Sequence, residues 1–85
     1  MTLHYVPNEA GTPRLGVTVS RKVGGSVVRH RVKRRLVEAF RRSPLRAALP
    51  AWDFVAHVKP EAAGADHAAL RHELEALLLG ATRGR

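Results

Sequence analysis

Residues Arg14–Arg42 read RLGVTVSRKVGGSVVRHRVKRRLVEAFRR, and three successive patterns within them set the fold. From Arg14 to Ser20 apolar and polar residues alternate. Leu15, Val17 and Val19 fall on one face and Arg14, Gly16, Thr18 and Ser20 on the other, the signature of a half-buried strand. Gly24-Gly25 breaks that pattern, and Ser26 offers an N-cap hydroxyl to a helix from about Val27 to Arg42. Ser43-Pro44 ends the helix, because the residue before a proline is driven out of the helical region. At about 100° per residue, Val28, Val32, Leu36, Ala39 and Phe40 fall within about 120° and form a core-facing stripe. Lys33, His30, Arg41 and Arg34 occupy the opposite arc, with Arg31, Arg42 and Arg35 on one shoulder. Arg29 falls near the apolar arc, but in the first turn, where it can reach outward.

The flanking residues extend the same reading. Thr2–Val6 is predicted as a strand with Leu3 and Tyr5 on one face and His4 and Val6 on the other. The turn-rich stretch Pro7–Pro13 then suggests a hairpin to the next strand. Leu45–Leu49 reads as a short turn, Asp53–Val58 as a third strand and Pro60–Gly64 as loop. Asp66 is placed to cap a last helix in which Leu70, Leu74 and Leu77 recur at helical spacing.

The charge is concentrated. Of the net +8, all is carried by Arg21–Arg42, which holds nine Lys/Arg against Glu38 alone, while both flanks balance. Solvated helices ordinarily mix signs and pair Glu with Lys one turn apart. Here the cation is mostly arginine, whose planar fork suits bidentate phosphate contact and stacking on bases. A polyanion, and a nucleic-acid backbone first, is the expected partner.

Other classes are excluded or disfavoured. An 85-residue chain buries only somewhat over ~60% of its unfolded surface, which allows one modest core and one domain. There is no cysteine, so disulfides and thiolate metal sites are ruled out. His4, His30, His57, His67 and His72 lack ligand spacing for zinc. No apolar run approaches the ~18–20 residues of a membrane span, and the start lacks a signal peptide's charged head and apolar body. A soluble cytoplasmic protein with no membrane association is expected. The acids Glu9, Glu38, Asp53, Glu61, Asp66, Glu73 and Glu75 are scattered over different elements, which disfavours a self-sufficient metal-dependent nuclease. A helix-turn-helix reader would need a helix where a strand and glycines stand.

The linker Ser20–Ser26 admits two readings. Its glycines could let backbone N–H groups approach a phosphate at a helix N-terminus, or could simply make a tight turn needing positive φ. It is no P-loop, because the Gly-Lys-Ser/Thr ending is missing. Together, the 21 residues Arg14–Arg34 resemble the signature of the protein subunit of bacterial ribonuclease P, roughly R-x-G-x-x-V-S-[KR]-K-x-G-x-[AS]-V-x-R-N-[RK]-x-K-R. An early strand near Tyr5, a later Asp-led strand and a closing helix are also similar.

That resemblance implies an α+β two-layer sandwich, a small mixed sheet with helices packed on it and a left-handed strand–helix–strand crossover, against the usual right-handed rule. It implies a single RNA-binding domain over residues 1–85, partnered by a catalytic RNA and by precursor tRNA, with no obligate protein partner. The activity implied is endonucleolytic removal of the 5′ leader, with hydrolysis carried out by the RNA and its Mg2+ rather than by this chain. Carried over by position, Arg29, His30, Arg31, Lys33 and Arg34 would contact the RNA, joined by Arg21 and Lys22; Arg35 and Arg41 extend the set along the helix. Tyr5 matches a tyrosine of the family's leader-binding cleft, and equally fits the core of a first strand.

Three departures qualify the likeness. Relatives usually begin with a basic helix bearing two phenylalanines, whereas this chain opens at what reads as the strand that follows: either it is truncated, or its start is assigned too late, or the lineage has lost that helix, and leader binding is open with it. His30 replaces an asparagine and loses the amide's combined donor and acceptor. Val37 and His57 stand where arginines are common. The alternative to a ribonuclease P subunit is a basic RNA-binding module, such as a ribosomal protein, with no enzymatic association.

Overall fold

The structure, a computed structural model, describes residues 1–83. Its organising element is β3 (Trp52–Val58), along which Trp52, Phe54, Ala56 and Val58 are all buried. A strand this apolar on one face is best satisfied with neighbours on both sides. It has them: β1 (Thr2–Pro7) pairs antiparallel to one edge and β2 (Arg14–Val19) parallel to the other, giving the order β1-β3-β2. The register sets Tyr5 against Phe54 on one side and Leu15 against Phe54 on the other. The predicted β1–β2 hairpin is therefore incorrect. The loop between these strands is turn-rich as read, but the strands it joins flank β3 instead of pairing with each other.

α1 (Ser26–Arg42) and α2 (His67–Arg83) both pack on the face that carries Leu3, Val17, Val19, Phe54, Ala56 and Val58. This is the mixed-sheet, two-layer α+β architecture expected. α1 contributes Leu36 and Phe40 to the core and α2 contributes Leu70, Leu74 and Leu78. Burial on α2 follows an i, i+4, i+8 row, so Leu78 takes the place predicted for Leu77, which is half-buried. On α1 the predicted stripe holds from Val32 onward, but Val28, which packs against Gly24 in the linker, is 43% exposed. Val37 packs against the core from the stripe's margin.

The ends of the helices show how local chemistry sets them. Asp66 Oδ1 accepts from the Ala69 amide at 2.8 Å, the capping expected for α2. At α1 the cap position belongs to Gly25, in extended backbone and with no side-chain cap bond, and Ser26 is already helical; the Ser26 N-cap expectation is corrected. Ser43 closes α1 by donating its amide to the Phe40 carbonyl at 3.2 Å and starts the following 3-10 turn, Pro44–Ala48, by accepting from the Leu45 amide.

Among the described residues, the other sheet face carries no helix. There Arg14 grips Asp53 with two bonds, of 2.7 and 3.0 Å, and Asn8 donates to the same carboxylate at 2.9 Å. That arrangement holds the Asp53 carboxyl below its ordinary value, chiefly through the Arg14 bonds. Thr18 and His57 meet at 2.7 Å farther along. Among the described residues, no helix is long and apolar enough to cross a membrane.

Candidate nucleic-acid interface

β2 delivers the chain to the start of α1 through Ser20–Gly25, and the geometry there depends on one glycine. A Cβ on Gly24 would lie 2.8 Å from Val28 Cγ1 and 2.9 Å from its Cβ, whereas one on Gly25 would meet nothing within 4 Å. Both residues are in extended backbone, and neither adopts the left-handed φ that favours glycine; among the described residues Gly11 and Gly64 do. The positive-φ reading of the linker is thus corrected: Gly24 is needed because backbone presses against the first turn of α1. Arg29 reinforces the contact, donating Nε to the Gly24 carbonyl at 3.2 Å. Its side chain is partly buried, so Arg29 fixes the entry to the helix while its remaining guanidinium N–H groups stay available for a partner.

From this anchored start α1 projects a ridge of cations. Arg31, Lys33, Arg34, Arg35 and Arg41 are exposed, as is His30, and Arg21 and Lys22 extend the surface back onto a 3-10 turn, Arg21–Val23. Of all these basic side chains, none has a carboxylate within 4.0 Å among the described residues; the only acid on α1, Glu38, pairs with Arg42 at 2.9 Å. Two shallow acid-free grooves flank the helix's first half. One, of about 410 Å³, is lined by Ser26, Val27, His30, Arg31 and Arg34. The other, of about 350 Å³, runs between Arg29, His30 and Lys33 and the Val17–Val19 end of β2. Towards α2 the lining becomes mixed, with Glu38 and Glu75 among Arg35, Arg42 and Arg71.

The structure thus places Arg29, His30, Arg31, Lys33 and Arg34 around two adjoining grooves of α1, Arg35 in the groove towards α2, Arg41 at the helix's end and Arg21 and Lys22 on the preceding 3-10 turn. Tyr5 stands apart from them. It lies on the far edge strand, on the helix-bearing face, stacked on Trp52 with ring centroids 4.9 Å apart and planes 4° from parallel. At 44% exposure it is half in the core and half available. Sequence reasoning missed Arg46, beyond the helix end, because helical periodicity stops at Pro44. Among the described residues, no three His, Cys, Asp or Glu side chains converge as a metal site.

The sequence profile of the Ribonuclease P family matches residues 1–82. The ribonuclease P protein component of Caldanaerobacter subterraneus subsp. tengcongensis is 41% identical over 80 residues, covering 92% of this chain and 66% of the relative. That of Streptomyces avermitilis is 44% identical over 77 residues, covering 87% and 60%. Among solved structures, the Staphylococcus aureus RNase P protein superposes with a TM-score of 0.79 at 28% identity, over 93% of this chain and 72% of that one. The RNase P protein from Thermotoga maritima, in complex with 1-(4-fluorophenyl)-2-thiourea, gives 0.77 at 28% identity, over 89% and 74%. The chain spans 60% and 66% of these two curated relatives' lengths.

Proposed function

The chain belongs to the ribonuclease P protein family, and we propose that it serves as the protein subunit of ribonuclease P, binding the catalytic RNA and assisting 5′ leader removal from precursor tRNA. The observation that carries this reading is the α1 ridge, a run of arginines with Glu38 as its one acid, joined to β2 through the close Gly24–Val28 approach and the Arg29–Gly24 bond. Such a surface gives phosphate attraction that needs no base sequence, as suits a protein that recognises a folded RNA by its backbone. His30, in the middle of the ridge, can donate to a phosphate oxygen.

The chemistry of hydrolysis is assigned to the RNA and its Mg2+, which supplies the charge stabilisation that phosphodiester cleavage requires. This chain's part is to bind and orient. Tyr5 is the proposed stacking platform for an unpaired leader base, through the ring face turned away from Trp52. The site of action proposed is the cytoplasm.

The test adds the purified chain to the transcribed ribonuclease P RNA at low magnesium and follows precursor-tRNA cleavage. Stimulation is expected, with no cleavage by the chain alone. Tight RNA binding without stimulation would instead favour a basic module with no enzymatic association, and cleavage without RNA would overturn the assignment of chemistry.

A further inference from the structure

The ridge does not stop where α1 stops. Arg41, in its last turn, and Arg46, in the 3-10 turn beyond, line one open groove of about 430 Å³ whose opposite wall is Gly11, Thr12 and Pro13. Both walls are held in place. The Asn8 side chain ties the loop down by donating to the Thr12 carbonyl at 3.1 Å and to Asp53 at 2.9 Å, while accepting from the Ala10 amide at 2.9 Å. On the other side Ser43 accepts from Leu45, donates to Glu75 of α2 at 3.1 Å and receives the Arg46 amide on its carbonyl at 3.1 Å.

The electrostatics favour an anion. Among the described residues no carboxylate lines this groove, and Glu75, which reaches Ser43 from behind it, lines the α1–α2 groove together with Glu38. The carbonyls at the C-terminus of α1 disfavour negative charge with about half a unit charge. Two guanidinium groups exceed that, leaving a net positive pocket whose planar forks match phosphate oxygens. Continuity with the ridge identifies the occupant as the same RNA rather than a separate anion.

We propose that this groove is a second phosphodiester-binding site, in which Arg41 and Arg46 hold a backbone segment of the RNA that lies along α1. The proposal rests on the RNA-subunit reading and adds a site at the helix end, made by the last turn of α1, the 3-10 turn after it and the loop between β1 and β2.

The experiment measures binding of the full chain to the transcribed ribonuclease P RNA across a salt series. Arg46→Glu is compared with Arg71→Glu, a charge-matched change on α2, and with Arg31→Glu plus Arg34→Glu on the ridge. Arg46→Glu is expected to weaken binding ~10-fold and flatten the log–log salt dependence by about one unit, while Arg71→Glu changes it less than ~3-fold. Thr12→Arg, which adds a cation to the opposite wall, is expected to tighten binding ~2–5-fold. Equal effects of Arg46→Glu and Arg71→Glu, with the ridge variant still severe, would overturn the groove and leave the subunit reading standing. Retention of full affinity by the ridge variant would overturn the subunit reading itself. Thermal melts of each variant separate loss of binding from loss of fold, and Arg46→Gln provides a milder change if the reversal unfolds the chain.

Discussion

α1 and α2 are the same length, 17 residues each, and pack side by side on the same sheet face. Their surfaces differ completely. α2 buries three leucines and balances Arg71 and Arg83 against Glu73 and Glu75, while α1 buries two side chains and sets seven Lys/Arg against Glu38. If covering the sheet were the only task, the composition of α2 would serve for both. The excess on α1 opposes folding through self-repulsion and is retained on an element that contributes less to the core. Stability and recognition are thus divided between two neighbouring helices, and substitutions should reveal the division.

The largest effect on stability is expected in α2. Leu74→Ala, at a side chain only 1% exposed, should cost ~2–5 kcal/mol, read as a fall in the denaturation midpoint. A loss under ~1 kcal/mol would remove α2 from its scaffold role. Gly24→Ala comes next, at ~1–3 kcal/mol, because the new methyl group must displace Val28. Gly25→Ala should be milder, and equal melting points for the two would show that the close approach to α1 does not matter.

Removing Arg31 and Arg34 as alanines should leave stability within ~0.5 kcal/mol yet lower the salt slope of RNA binding by about two. A melting shift as large as that of Leu74→Ala would erase the contrast between the helices. Smallest of all is an acid-side effect away from both helices. The Asp53 carboxyl is held below its ordinary value of 3.8 by Arg14 and Asn8, so its contribution is fully present above that value. It is lost as the pH falls through the depressed value in the folded state. Asp53→Asn should flatten stability against pH in that acid range, and an unchanged pH profile would show the Arg14 pairing to be energetically silent.

Much of the contrast was legible beforehand. The helical row Leu36 and Phe40 and the one-sided charge of Arg21–Arg42 both follow from residue spacing, and alternation of Leu15, Val17 and Val19 placed β2 correctly. The sheet order was not legible. A short turn-rich loop between two alternating stretches reads as a hairpin, and only the burial demand of Trp52, Phe54, Ala56 and Val58 explains why β3 separates them. Gly24 misled for a related reason: sequence displays a glycine's freedom in φ, while here the missing atom matters for contact with Val28. The groove at Arg46 depends on loops brought together by Asn8 and Ser43, side chains 35 positions apart, which no local periodicity encodes.

The order β1-β3-β2 also governs timing. β1 and β2 are not partners of each other but both pair with β3, the last strand in the chain, so Tyr5 must await Phe54 before its backbone is paired. As the polypeptide leaves the ribosome, its arginine-rich segment is therefore complete before any ladder exists to hold it. Such distant closures slow folding, so newly made copies pass through an interval in which their cations are already exposed but not yet aligned, and the last strand to be synthesised fixes when productive assembly with RNA can begin.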